Sequence, residues 1–318
     1  MMLADKINFS PYPLKENMSW IKRFIVGPAI KNEGNINYIS KSYLLNSITP
    51  RYTISFIGDI MDMSLKDLII DKSVKNFVKG SDFLIGNFEA TLTSEKKFAK
   101  KRHKRQIMDA LETLFQSKKT YLSTANNHSG DYGQLWFSNS IDQLKERGFN
   151  VFGNKENPFQ DITNELRVIG STQWSNKPCN YLIKFEDSLQ FLKTDSFNLL
   201  FPHWGYEMEL YPRIKTINHG RILLHQFDAL IGHHSHCPQP VSIFSVGNVN
   251  KLIAYSLGNF CIGIENKMHK YGIVVKINIG RNSEGKWLIG KLDWTFIGSR
   301  SLSEQEYTVE IVDNYNPN

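Results

Sequence analysis

Three histidines fall within four positions, His233, His234 and His236, in the stretch Ala229-Leu-Ile-Gly-His-His-Ser-His236. Neutral imidazole is the commonest side-chain ligand for zinc-like and iron-like cations, so the chemistry on offer is metal binding. Apolar Ala229-Leu230-Ile231 precedes the histidines and Cys237-Pro238 follows them. That pattern reads as a buried strand that runs out at Gly232 and turns. In an extended or turning backbone, residues two apart project the same way, so His234 and His236 are expected to converge on one point. For a single histidine, a surface turn would be the ordinary explanation. Three at one strand end favour a metal.

The same grammar recurs along the chain. Ile54-Ser-Phe-Ile57 ends in Gly58-Asp59, and Phe83-Leu-Ile85 ends in Gly86-Asn87-Phe88-Glu89. Tyr121-Leu-Ser-Thr124 ends in Ala125-Asn126-Asn127-His128, and Phe197 to Phe201 ends in Pro202-His203-Trp204-Gly205. Each is a short apolar run of strand length, closed by a small or turn residue and followed at once by a carboxylate, amide or imidazole. Helical segments lie between the runs, and strand–helix–strand order implies parallel pairing. Parallel strands share one carboxyl edge, where open α/β sheets place their sites. Five such ends are expected to deliver Asp59, Glu89, Asn127, His128, His203, His234 and His236 to one rim.

In this order the motifs resemble a known family. They are Gly58-Asp59; Asn87-Phe88-Glu89; Asn126-Asn127-His128 with Asp131-Tyr132-Gly133; His203-Trp204-Gly205 with Glu207 and Pro212; Gly232-His-His-Ser-His236; and Tyr255-Ser-Leu-Gly-Asn-Phe260. The set resembles the CapA family, capsule and poly-γ-glutamate biosynthesis proteins within the calcineurin-like metallophosphoesterase superfamily. The resemblance covers about residues 50 to 265. It implies an α/β chain with a four-layer αββα metallophosphoesterase-like sandwich and a two-metal site. The metal ligands expected are Asp59, Glu89, Asn127, His203, His234 and His236, with Asn87 as a further candidate. The cofactors expected are two divalent ions, manganese, iron, zinc or magnesium. By the same resemblance His128 would protonate a leaving group, with Asp131 or Glu207 holding its ring. Two departures stand out. The superfamily's first motif is Asp-x-His, but the third position here is Met61, a poor ligand for a hard cation. The superfamily also places a bridging aspartate near Asn87, and Glu89 is the carboxylate available.

The elements that must position these residues can be read in outline. A chain of 318 residues with 41% apolar and 12% aromatic content is long enough for one large α/β domain and too apolar for disorder. The divisions expected are an amino-terminal extension at 1–48, a CapA-like domain at 49–300 and a carboxy-terminal tail at 301–318. Trp20, Phe24, Ile25 and Val26 are expected to pack the extension on the domain. Helices are expected at Lys72 to Lys79, around Ile107 to Phe115, at Gln134 to Arg147 and at Pro212 to Phe227. Further strands are expected at Val151-Phe152, Leu166 to Ile169, Tyr181 to Phe185, Leu252 to Ser256, Ile273 to Ile279 and Trp287 to Phe296. His219 and His225, on the last helix, read as surface or packing residues.

Composition removes several functions. The cysteines Cys179, Cys237 and Cys261 are odd in number and form no Cys-x-x-Cys pair, so no disulfide framework is expected and they read as reduced and partly buried. No run of eighteen apolar residues is present, so no membrane span is expected. Met1 to Ser10 lacks the apolar stretch of a secretory signal. Many CapA-family proteins carry an amino-terminal membrane anchor, and its lack here gives the expectation of a cytoplasmic protein. The net charge is +7, but seven basic residues lie between Lys96 and Arg105; without them, basic and acidic residues balance at 31 each. No nucleic-acid partner is expected, and the partner is an anionic small molecule or polymer.

Three functions compete at this level. The first is a metal-dependent hydrolase acting on a phosphoester or a γ-glutamyl amide. The second is a non-catalytic accessory protein that binds an anionic capsule-like polymer. The third is an interaction domain on a degenerate fold. Bound metal separates the first from the third, and turnover separates the first from the second.

Overall fold

A computed structural model describes residues 10–64, 66–264 and 269–315. Residues 1–9, where the sequence was read for a signal, lie outside the described residues, as do 316–318 of the expected tail. Among the described residues the strands form a ten-stranded sheet, a six-stranded sheet and a two-stranded ribbon. In the larger sheet Thr49–Met61, Phe83–Glu89, Thr120–Ser123 and Asn150–Phe152 pair in parallel in that order. In the smaller sheet the parallel run is Leu166–Thr172, Phe197–His203, Ala229–Ile231 and Val249–Ala254. Helices Lys72–Val78, Gln106–Leu114, Gln134–Glu146 and Ile214–Leu223 make the crossovers that parallel pairing requires. The first of these starts where Asp71 Oδ1 accepts the Ser73 N–H at 2.7 Å, an N-cap that satisfies an otherwise orphaned donor.

Side-chain alternation explains the layering. In Phe197–His203, Leu199 and Phe201 pack with Ile54, Phe56, Val275 and Trp294 in the core between the sheets. Leu200, one residue out of phase, joins Ile169, Leu230 and Ile253 under the helix that contributes Ile217. On the far side of the larger sheet, Leu84, Leu122 and Val151 meet Val74, Leu111 and Ile141 from three helices. Strands buried on both faces read as continuous apolar runs for this reason. The order is helix, sheet, sheet, helix, so the expected αββα sandwich is present. Each fully buried Leu, Ile or Phe contributes about 1.5–3 kcal/mol from removal of apolar surface from water.

Several boundaries differ from the sequence reading. No strand forms over Tyr181 to Phe185. Its backbone bonds go to different neighbours: Thr172 N–H to Ile183 O, and Lys155 N–H to Tyr181 O, both at 2.9 Å. No ladder develops, and a 3₁₀ turn, Phe185–Phe191, follows. The helix expected from Pro212 to Phe227 spans Ile214–Leu223, with Pro212 just ahead of its Arg213 N-cap. Part of the segment read as a tail is a strand. Glu306–Val312 lies between Trp287–Ser301 and Asp67–Ile70, with Tyr307 and Val309 buried. Its polar lead-in, Ser303-Glu-Gln-Glu306, masks the alternation that follows. Of the four residues expected to pack the extension, only Trp20 does so. Helix Leu14–Val26 meets the domain through Trp20 and Arg23, which bond Glu207, while Phe24, Ile25 and Val26 are exposed. Ser42–Leu44 pairs with Trp287–Ser301.

Two glycines mark where the chain must pass close to itself. A Cβ on Gly58 would lie 2.0 Å from Gly258 O, and one on Gly232 would lie 2.2 Å from Trp204 Nε1. Both sit directly before the donors. The Ser256-Leu-Gly-Asn259 motif then crosses from the smaller sheet to the larger, where Asn259–Cys261 pairs with Thr49–Met61. This crossing draws the two carboxyl edges together.

Candidate metal centre

The rim expected from one set of parallel strands is built from two sheets facing each other. Thr49–Met61 carries Asp59, and Phe83–Glu89 ends in Glu89. Asn127 and His128 follow Thr120–Ser123, and His203 ends Phe197–His203 of the smaller sheet. His233, His234 and His236 follow Ala229–Ile231. All of these side chains are buried.

The donors fall into three overlapping groups. Asp59, His203 and His233 form one; Glu89, His203 and His234 a second; Asp59, Glu89 and His236 a third. Within each, one ligand atom per residue lies within 4.8 Å of the others. Glu89 thus belongs both to the group with His203 and His234 and to the group with His236. Asn127 Oδ1 lies 2.8 Å from His203 Nε2, so it faces the second group. All six expected ligands are therefore brought together, and His233 joins them. His233 stands inside the histidine cluster that prompted the metal reading, but alternation gave no reason to turn it inward.

The expected convergence of His234 and His236 is corrected in detail. Both residues have left-handed backbone, φ 101° and 55°, rather than extended geometry. Their ring centroids are 6.2 Å apart and they serve different groups, meeting at Glu89. Positive φ at a side chain with a Cβ costs about 1–3 kcal/mol and persists only where surroundings impose it. Here the His234 N–H donates to Asp59 Oδ2 at 3.2 Å, and the Met208 N–H donates to Ser235 O at 2.8 Å.

The donor set fits a cation on its own electrostatics. Glu89 Oε1, His234 Nδ1 and both ring nitrogens of His233 are buried without a hydrogen-bond partner. Orphaned buried polar atoms cost about 1–3 kcal/mol each, so four in one place require an explanation. Burial, then the charge of neighbouring Asp59, pushes the Glu89 carboxyl well above its usual range. Burial would also raise Asp59, but the His236 hydrogen bond and the charges of His233 and His236 hold it down at about 2. Burial and the neighbouring imidazoles push His203 and His234 far down, and burial takes His233 to about 4. Burial acts the same way on His236, but its hydrogen bond with Asp59 outweighs it and raises the ring. Neutral imidazoles at His203, His233 and His234 beside an ionised Asp59 are what a divalent cation requires. Asn87 turns its amide nitrogen toward Asp59 Oδ1 at 2.7 Å and Glu89 Oε2 at 3.2 Å, while its Oδ1 accepts from Asn126 Nδ2 at 3.3 Å, so it steadies the carboxylates rather than offering a lone pair to a cation.

His128 stands beside the groups and in none of them. Its Nδ1 lies 2.7 Å from Asp131 Oδ2, which also accepts the Lys101 N–H at 2.9 Å. The open choice between Asp131 and Glu207 as holder of this ring falls to Asp131. Glu207 instead accepts from Trp20 Nε1 at 2.6 Å and lies 3.4 Å from Asn127 Nδ2. Asn176, which no local pattern marked, bridges Asn127 and His128 at 3.3 and 3.2 Å. The basic stretch reaches the rim at its middle, with Lys100 Nζ 3.5 Å from Asp131 Oδ1. His219 and His225 lie outside the groups, against Phe185 and Phe244.

Fold and site together define an αββα sandwich with a carboxylate–imidazole cluster at the joined strand ends. The family profile described as "Bacterial capsule synthesis protein PGA_cap" matches residues 53–263, about two thirds of the chain, and the chain belongs to that family. It is similar to the PGA biosynthesis protein CapA of Bacillus subtilis (strain 168), 22% identical over 272 residues covering 75% of this chain and 70% of that one. It is also similar to the capsule biosynthesis protein CapA of Bacillus anthracis, 26% identical over 249 residues, 66% of this chain and 59% of that one. Among solved structures, a Staphylococcus aureus protein described as a candidate 5'-nucleotidase, in complex with alpha-ketoglutarate, matches with TM-score 0.50 and 13% identity. That match covers 76% of this chain and 53% of the other, and bears on the fold. Among the described residues no helix is long and apolar enough to cross a membrane.

Proposed function

We propose that this chain is a metal-dependent hydrolase with a dinuclear centre, acting on a phosphoester or a γ-glutamyl, capsule-related anionic substrate. The observation that carries the reading is the set of buried donors lacking hydrogen-bond partners, at His233, His234 and Glu89, with Glu89 common to two of the three groups. On this reading Glu89, His203, His234 and Asn127 would hold one divalent cation, and Asp59, Glu89 and His236 would hold the other. Such a pair supplies charge neutralisation for an anionic group and a water of lowered pKa. Glu89, common to both sets, would serve both cations, which would account for a carboxylate buried beside Asp59. His128 gives a proton to the leaving group from Nε2 while Asp131 holds Nδ1. Lys100 and Lys101 place positive charge at the rim, suited to an anionic substrate.

A second reading has one observation in its favour. Met61, only 2% exposed, occupies the position where the superfamily carries a histidine, and its thioether suits a hard cation poorly. A centre weakened there could bind an anionic polymer without turnover. The deciding experiment is elemental analysis of the purified protein together with phosphomonoester, phosphodiester and γ-glutamyl peptide assays. Metal with turnover supports the hydrolase. Metal without turnover supports the binding protein. Absence of metal, and of manganese or zinc binding on titration, removes both.

A further inference from the structure

We propose that Tyr12 positions His234 for cation binding, which makes the amino-terminal arm a working part of the metal centre. The proposal rests on the metal-centre reading above and concerns a residue outside the segment that the family profile matches. Tyr12 is 5% exposed, and its hydroxyl lies 2.8 Å from His234 Nε2. The other ring nitrogen, His234 Nδ1, is the one buried without a partner. An imidazole has one nitrogen for the cation and one for the group that orients it, and here the two roles are already divided. A proton on Nε2, donated to the Tyr12 hydroxyl, leaves the lone pair on Nδ1.

The hydroxyl is itself held. It accepts the Glu207 N–H at 2.8 Å, and a hydroxyl oxygen has a second lone pair for His234. The Tyr12 ring stands edge-on to Trp174, centroids 4.9 Å apart, and 5.6 Å from Tyr206. The arm grips the loop that follows His203 at several further points. Trp20 Nε1 donates to Glu207 Oε2, and Arg23 Nε donates to Glu207 O at 2.8 Å. Arg213 makes paired bonds to Glu16 at 2.7 and 2.9 Å, and the Leu210 N–H donates to Ala29 O at 2.9 Å. Such anchoring keeps a residue 222 positions away in sequence at hydrogen-bond distance from a ligand.

The test uses the full chain, stripped of metal and titrated with manganese by calorimetry. Tyr12→Phe keeps the ring against Trp174 and Tyr206 and removes the hydroxyl alone. Its affinity for manganese is expected to fall about 10- to 100-fold, the usual effect of losing a partner that orients a ligand, while the unfolding midpoint of the metal-free protein falls only by the few degrees that the lost acceptor for the Glu207 N–H accounts for. A second measurement needs no variant. In the zinc-loaded wild type, imidazole ¹⁵N spectra are expected to show His234 ligated through Nδ1, with a slowly exchanging proton on Nε2. Equal manganese affinity in wild type and Tyr12→Phe, or ligation of His234 through Nε2, overturns the role of Tyr12 and leaves the metal centre standing. A wild type that binds neither metal overturns the centre and this role with it.

Discussion

Replacing His128 with alanine separates a proton donor from a metal ligand. The side chain is 8% exposed, its Nδ1 is tied to Asp131, and it belongs to none of the three donor groups. Its loss should therefore leave metal content unchanged. Asp131 keeps two partners in the variant, the Lys101 N–H at 2.9 Å and Lys100 Nζ at 3.5 Å, so its charge is not stranded. The stability cost should stay near that of one buried hydrogen bond, about 1–3 kcal/mol. The rate cost is larger. A general acid contributes about 10²–10⁴-fold, or about 2.7–5.4 kcal/mol of barrier. That cost should appear on an alkyl phosphodiester, whose leaving group needs a proton. It should largely vanish on a bis-nitrophenyl phosphodiester, whose leaving group departs as a stable anion. The assay is kcat/KM on both esters with metal content measured on the same samples. A variant that loses its metal makes His128 a ligand and refutes the assignment. Undiminished turnover of the alkyl ester refutes the acid role.

Three other predictions follow from the same geometry. Glu89→Gln should abolish binding at both cation positions, read as metal per chain, yet raise the unfolding midpoint of the metal-free protein, because it removes a buried carboxyl that Asp59 repels. Lys101→Met should raise KM for an anionic substrate at low ionic strength and much less at high salt, since exposed charges more than about 10 Å apart are screened at 0.1 M; equal effects at both salts would place Lys101 outside the substrate's field. Burial pushes Asp228 up to about 6, against its backbone bond from Asn198 and the nearby Lys251. Its contribution to stability is therefore fully present below the unfolded carboxyl's value near 4 and is lost as pH rises through about 6. Asp228→Asn should flatten that part of the stability–pH curve, measured by urea denaturation at pH 4 to 8, and an unchanged curve would remove Asp228 as its source.

Much of the site was legible because its signals are local. Gly58-Asp59, Asn127-His128, His203-Trp204 and the 233–236 histidines each follow a short apolar run, and a strand end is set by the residues at that end. Strand–helix–strand order carried the parallel pairing, and the motif set carried the family and its layering. The elements that failed lacked a local signal or gave a misleading one. Tyr181 to Phe185 has strand composition, but no neighbour offers it a continuous ladder. Glu306–Val312 alternates correctly but follows a polar turn, and only two flanking strands make it internal to the sheet.

The sequence by itself determined the donor types, their positions at strand ends and the family to which the chain belongs, because these depend on composition and spacing over a few residues. The tertiary structure alone decided how the donors are shared. Glu89 falls in two groups, His233 turns inward, Asp131 and not Glu207 holds His128, and Tyr12 reaches His234. The sharing of Glu89 depends on two stacked sheets bringing their carboxyl ends together and on left-handed backbone at His234 and His236. Contacts between residues as far apart as 12 and 234 are set by packing, and packing leaves no periodic trace in the chain.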